Sequence, residues 1–364
     1  MPDFELSAEL TPVLARFMAQ RSPVEVSRAG GAGCPPLWTA LVEEVGVAGL
    51  LVEEAYDGQG ATVVELAAAV HEAARCGWSG PLVATAGVAV TLLATLDPAD
   101  AHGLRAAIAT RGRVVVTAFH EDARGTDLAA AAVVRRDGER WLLRGTKQYV
   151  DSGTHADAVL VSAVDGSGTP TLCLTEVADP GVTVRAMEAV DPGRGLAVVE
   201  LDDVVVTVVA SGDDVAPALQ DAWLTGALLL AADAVGTADR VLELSLAYAR
   251  EREQFGRPVA TFQSVKHKLV DMHAELETAR SMLRHALERA AAGEADWRTA
   301  ASAAKARAAD AAMHVAREGV QVHGGIGFTW EHEISHHFRR ATAVRALHGT
   351  PSDHRARVAE GLGL

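Results

Sequence analysis

The spacing of apolar positions changes period twice along the chain. Residues 6–20 and 64–75 repeat apolar groups every three or four positions, which predicts amphipathic helices, with GlyGlnGly at 58–60 marking a loop between them. From about residue 113 the runs become short and β-rich: 113–119, 130–136, 141–145, 158–164, 171–176 and 204–209. Turn signals such as AspGly at 137–138 and AspGlySerGly at 165–168 separate them, and no long helical segment intervenes. After 211–214 the helical period returns. Phe262, Val265, Leu269, Met272, Leu276, Ala279, Leu283 and Ala286 recur as the stripe of one long helix. The expected organisation is α+β: an N-terminal helical domain (1–112), a middle antiparallel β domain (113–212) and a C-terminal four-helix bundle (213–364). A doubly wound nucleotide fold would alternate strand and helix, so it is excluded. GlyGlyIleGly at 324–327 follows no strand and is not a dinucleotide fingerprint.

Composition adds limits. The 364 residues suffice for more than one packed core, and with aromatics at 4% much of that core must be Ala, Val and Leu. The 33 basic and 48 acidic residues give a net charge of −15, which argues against broad nucleic-acid binding and requires any anionic ligand to find a local basic pocket. Cys34, Cys76 and Cys173 are odd in number and scattered, so no disulfide or zinc cluster is expected. The opening residues lack a signal-peptide pattern, and no apolar run reaches the roughly 18 residues of a membrane span. A cytoplasmic location without a membrane partner is expected.

Two glycine-marked segments carry candidate chemistry. ArgGluGlnPheGlyArgPro (252–258) joins two predicted helices; Arg252 offers a fork of donors suited to phosphate, and Phe255 an apolar surface for a ring. Alone, it reads equally as a helix–helix turn with a surface arginine. GlnValHisGlyGlyIleGlyPheThr (321–329) places three glycines in four residues, letting backbone amides approach a ligand closely, beyond what a helix C-cap requires. His332 and His336 stand at i, i+4 but lack a third ligand, so no metal is expected.

In this order and architecture the two segments resemble the acyl-CoA dehydrogenase family. Residues 45–60 look like its N-terminal signature, PheHisGluAspAlaArgGlyThrAsp (119–127) resembles its ThrGluProGlyAlaGlySerAsp segment, and GlyThrLysGlnTyrValAspSerGly (145–153) its GlyxLysxTrpIleThrAsnGly strand. The resemblance implies FAD bound at a dimer interface. Arg252 would pair with the pyrophosphate, Gln254 and Phe255 would line the cofactor, Gln263, Gln321, Val322 and Gly325 would complete the adenosine half, and Thr126 would lie near the ribityl and phosphate region. It further implies α,β-desaturation of an acyl-CoA thioester, an electron-transfer flavoprotein as electron acceptor, and a homo-dimer, homo-tetramer or hetero-oligomer. The reaction needs a carboxylate base with a raised pKa in a dry site.

That base is absent from both family positions. His348 stands where most members carry Glu, and Gly226 stands at the alternative position on an earlier helix. His120 and Asp151 replace threonines that would contact the flavin ring, and Ser352 replaces a glutamine near the nucleotide. No catalytic residue is assigned. The pattern resembles the smaller, base-lacking subunit of actinobacterial heteromeric (α2β2) acyl-CoA dehydrogenases, including those of steroid breakdown, and ThrTrpGluHisGlu (329–333) looks like that group. Three rival readings stay open. One is a homomeric enzyme with His348 as base, Asp233 and Glu331 being weaker candidates. The second is a flavin-dependent oxidase or monooxygenase on the same fold, and the third a structural subunit without flavin contact.

Overall fold

The computed structural model describes residues 7–21, 34–97, 101–121 and 128–364. Helices come first: α1 (Leu10–Ala19), α2 (Cys34–Val45), α3 (Val63–Arg75), α4 (Val90–Leu96) and α5 (His102–Arg111). A fully buried π-helix, Leu82–Ala89, runs directly into α4, and its wide turn is accommodated by small residues at Ala84, Ala86, Gly87 and Ala89.

Seven strands follow: β1 (Val115–Ala118), β2 (Val133–Asp137), β3 (Arg140–Val150), β4 (Ala158–Val164), β5 (Pro170–Glu176), β6 (Val182–Ala186) and β7 (Ala197–Ser211). Successive pairings β4–β2, β2–β3, β3–β7, β7–β5 and β5–β4 close a ring, to which β1 is joined through β4 and β6 through β7. Pairing is antiparallel throughout except at β4, which runs parallel to β1 and meets β2 at the single parallel pair Val133–Val164. The AspGly signal at 137–138 is the β2–β3 turn, with Gly138 at φ 61°. Strands β3 and β7 extend well beyond their apolar cores. Strand β6, which is not among the runs expected from sequence, alternates Val182, Val184 and Ala186 with Thr183 and Arg185, yet none of its side chains is fully buried.

The C-terminal helices are α6 (Val215–Glu251), α7 (Gln263–Ala291), α8 (Trp297–His323), α9 (Glu333–Ala346) and α10 (Pro351–Gly361). Along α7, Leu269, Met272, Leu276, Ala279, Leu283 and Ala286 are buried, as their spacing requires, whereas Phe262 and Val265 at its start are only half-buried. Helix α6 corrects the expectation about membrane-length runs. At 37 residues, with a mean hydropathy of 1.3 over its most apolar stretch, it is long and apolar enough to cross a bilayer; yet 78% of that stretch is buried within the fold, as in the core helix of a bundle.

Contacts group the described residues into two compact units. One comprises α1, residues 67–78 and residues 227–364; the other comprises residues 34–66 and 79–226. In the first, α3 crosses α6 with the two backbones touching at Gly236, where an added Cβ would lie 2.3 Å from the His71 carbonyl oxygen. Neither helix can yield without moving its whole stripe. Gly236→Ala is therefore expected to destabilise the protein by at least about 1–3 kcal/mol in urea unfolding. In contrast, Gly103→Ala in α5, whose new methyl meets nothing within 4 Å, should be neutral or slightly stabilising.

Charges inside the first unit are paired. Asp233 on α6 and Arg340 on α9 form a buried bidentate bridge, Arg340 Nε and one terminal nitrogen donating to the two carboxylate oxygens at 2.7 and 2.8 Å. In the second unit the fully buried Lys147 donates to the Phe119 carbonyl, the Ser162 hydroxyl and Glu121. Burial lowers the Lys147 pKa while Glu121 works against that shift. This network ties the end of β1 to β3 and β4.

Candidate functional site

The segment between α6 and α7 folds as a miniature hairpin rather than a plain helix–helix turn. Glu253–Gln254 pairs with Arg257–Pro258, and the two residues at the tip, Phe255 (φ 53°) and Gly256 (φ 77°), both adopt left-handed backbone. That sign pattern is the one a two-residue hairpin demands, but a bulky aromatic seldom accepts it. The result is a Phe255 ring that is 92% exposed, with only the edge of Phe262 beside it at 6.2 Å. Strain of this kind, spent on exposing an apolar side chain, marks a site with an external partner.

Behind the hairpin lies a cleft of about 720 Å³, lined from three helices. Helix α6 gives Tyr248, and Arg252 stands one turn on, just past the end of that helix, its amide donating to the Tyr248 carbonyl at 2.8 Å. The first turns of α7 give Ser264, Val265 and Lys268. The end of α8 and the glycine turn give Gln321, Val322, His323, Gly324, Gly325 and Ile326, while Gln254 reaches in from the hairpin. Among the described residues no side-chain hydrogen bond or ion pair occupies the Arg252 guanidinium, whereas Lys268 is neutralised by Glu318. Arg252 is thus the cleft's available cation. The N-cap of α7, Phe262, brings no side-chain acceptor to the amides of its first turn, and Ser264 and Val265 of that turn line the cleft. Gly324 (φ 64°) and Gly325 have no atom within 4 Å of where a Cβ would stand, leaving the backbone open to close approach. An arginine fork, a helix N-terminus and an unobstructed glycine turn fit an elongated anionic group such as a pyrophosphate.

His323 closes the floor. It is buried, its ring stacks on Tyr248 at 4.5 Å, and it lies 4.8 Å from His332. Its Nδ1 donates to the Gly319 carbonyl at 2.7 Å, and burial pulls its pKa below the ordinary histidine value, so the ring is neutral at pH 7. The rim is apolar: besides Phe255, the side chains of Ile326 (49%), Phe328 (76%) and Trp330 (41%) are substantially exposed.

Among the residues singled out from sequence, Arg252, Gln254, Gln321, Val322 and Gly325 come together in this cleft. Phe255 stands at the hairpin tip, and Gln263, exposed, is the first residue of α7. Thr126 lies outside the described residues. Tyr248, Ser264, Lys268 and His323 carry no role from sequence, although His323 lies within the 321–329 segment and Tyr248 stands at i−4 to Arg252.

The remaining candidates fall elsewhere. Gly226 is buried within α6. His348 sits half-buried in the turn between α9 and α10 with φ 50°, its carbonyl accepting from His354 Nε2 at 2.7 Å. The His354 ring is kept neutral, its pKa pushed down to about 4 by burial and by nearby Lys305. Ser352, in the first turn of α10, and Glu331 are exposed, and Asp233 is committed to Arg340. His332 is the N-cap of α9, its Nδ1 accepting from the Ile334 amide, while His336 packs against Trp330; no metal-ligating cluster occurs among the described residues. In the other unit His120 is buried, and the Asp151 carboxylate lies 3.8 Å from the buried Arg194 guanidinium, which also meets Asp191 at 3.5 Å. Tyr149 (φ 54°) and Ser152 (φ 57°) flank Asp151 with left-handed backbone.

Comparison with known proteins agrees with this layout. Residues 117–204 match the middle domain of acyl-CoA dehydrogenases and residues 218–363 their C-terminal domain. The chain is 32% identical over 317 residues to acyl-CoA dehydrogenase IpdE2 of Mycobacterium tuberculosis, covering 87% of this chain and 83% of that protein. Among solved structures it is similar to the Tcur3481-Tcur3483 steroid ACAD G363A variant (29% identity, TM-score 0.86, 98% of each chain). It is also similar to the ChsE4-ChsE5 complex of Mycobacterium tuberculosis (26% identity, TM-score 0.86, 99% of each chain). Sequence, fold and cleft together place this chain in the acyl-CoA dehydrogenase family of oxidoreductases.

Proposed function

We propose that this chain is one subunit of a heteromeric, FAD-dependent acyl-CoA dehydrogenase, contributing the pyrophosphate and adenosine side of an interfacial flavin site while a partner subunit supplies the base. The observation that carries the reading is an asymmetry within the chain. The cleft for an elongated anion is fully furnished, whereas the two family positions for the base hold Gly226 and His348. Two relatives of high coverage, Tcur3481-Tcur3483 and ChsE4-ChsE5, are named as pairs, and the former as a steroid ACAD, which supports a paired assembly acting on a bulky acyl-CoA.

In this reading Arg252 forks onto the pyrophosphate, the α7 N-terminus and the 324–325 backbone complete its cradle, and Gln254 and Gln321 offer amide contacts to the adenosine half. Phe255, Phe328 and Trp330 exclude water once a partner covers them. A bound FAD would supply hydride-accepting chemistry for the substrate's β-hydrogen, and a carboxylate outside this chain would take the α-proton.

Flavin content of the chain purified alone and after co-expression with a base-carrying family member tests the proposal. The chain alone is expected to carry substoichiometric flavin. The pair should carry bound FAD that bleaches on adding acyl-CoA. One tightly held FAD per chain in the isolated protein, bleached by acyl-CoA, would return the choice to a self-sufficient enzyme using His348.

A further inference from the structure

Helix α3 is fastened to the bundle by a histidine that has no part in the flavin cleft. His71 is buried, and each ring nitrogen faces a carboxylate: Nδ1 lies 2.9 Å from Glu72 and Nε2 lies 2.6 Å from Asp239 on α6. A carboxylate only accepts, so both contacts are hydrogen bonds only when both nitrogens carry protons. The geometry therefore describes an imidazolium. Asp239 takes a second cation, Arg280 on α7, which also pairs with Glu277.

The surrounding charges are otherwise matched. Arg75 on α3 bridges Glu72 (3.7 Å) and Glu243 on α6 (3.0 Å). Arg240 on α6 pairs with Glu243 and with Glu333 at the start of α9, and His337 on α9 also pairs with Glu333. The Cys76 thiol, just past α3, is held protonated by burial, with a pKa of about 11. Asp239 is thus met by His71 and Arg280, and Glu72 by His71 and, more distantly, Arg75.

We propose that His71 is a proton-operated clasp: charged, it ties α3 to α6 against the backbone contact at Gly236, and on losing its proton it releases residues 67–78 from the bundle. A neutral ring carries one N–H for two carboxylates, so one buried pair of acceptors is left facing each other in a dry site. Burial by itself lowers the His71 pKa, but the hydrogen bonds and charges of Asp239 and Glu72 outweigh it and leave the value raised. The sign follows. A group whose folded pKa is raised contributes stability that is fully present below its unfolded value and is lost as pH rises through the folded one. The clasp is closed below the ordinary histidine pKa of about 6.5 and opens as pH rises past its own, higher value.

Hydrogen–deuterium exchange of the full chain between pH 6 and 9.5, corrected for intrinsic rates, tests this. Peptides covering 67–75 are expected to lose protection at least tenfold over that range, while peptides of α8 hold theirs. In His71→Gln the same peptides should exchange fast at every pH, with no pH step. If that variant does not fold, Asp239→Asn serves: with one counter-charge removed, the step should move to lower pH. Flat protection of 67–75 in the wild type, or a pH step that survives in His71→Gln or stays unmoved in Asp239→Asn, would overturn the clasp.

Discussion

Asp233→Ala is expected to lower the unfolding free energy by about 3–5 kcal/mol, because it strands the Arg340 guanidinium in a buried site with its bidentate partner gone. The carboxylate and guanidinium side chains are 1% and 4% exposed, so water cannot take over the lost bonds. The informative companion is the double variant Asp233→Leu/Arg340→Met. Removing both charges eliminates the desolvation cost together with the attraction, and such replacements are often close to neutral. A chemical denaturation series should therefore place the double variant well above Asp233→Ala in midpoint, with an unchanged slope. The same experiment disposes of Asp233 as a base. A proton acceptor would show a kinetic defect in the stable double variant, whereas a structural pair would leave turnover of the assembly intact.

Arg252→Ala is expected to weaken FAD retention in the assembled enzyme by about ten- to a hundredfold, the scale of losing hydrogen bonds to a charged group worth roughly 1.5–3 kcal/mol. Arg252 is the cleft's available cation, because Lys268 is already spoken for by Glu318. Arg252→Lys should fall between the two, keeping the charge but losing the planar fork. Flavin fluorescence on dilution of the loaded assembly measures both. Unchanged FAD affinity in Arg252→Ala would instead support a structural subunit whose cleft does not touch the cofactor.

How far these features could be read from sequence depended on how local they are. The α7 stripe from Leu269 to Ala286 follows from spacing alone, since burial on a helix is set by a repeat within a few residues. The glycine turn at 324–325 was legible for a similar reason: glycines in such number restrict what the backbone is for. Strand β6 was not, although Val182, Val184 and Ala186 alternate with Thr183 and Arg185: five residues offer little period to count. The hairpin at 253–258 was seen as a turn, but its left-handed Phe255 was not, since nothing local favours phenylalanine there. Pairings across the chain were invisible. Asp151 reads from sequence only as a replaced threonine until the fold brings Arg194 beside it, and Asp233 as a candidate base until Arg340 arrives from 107 residues away. His71 read as one more position on an alanine-rich helix, and its charge state depends on Asp239, a residue 168 positions distant.

The apolar rim of Phe255, Phe328 and Trp330 has a consequence for the cell as well as for the cofactor. Side chains of that size left in water are a liability for any chain awaiting its partner. In a paired assembly the two subunits must then be synthesised in matched amounts, because surplus copies of this one would keep that rim wet and be the first to precipitate. Overproduced alone, the chain should lose solubility before it loses its fold, and co-production with its partner should restore it.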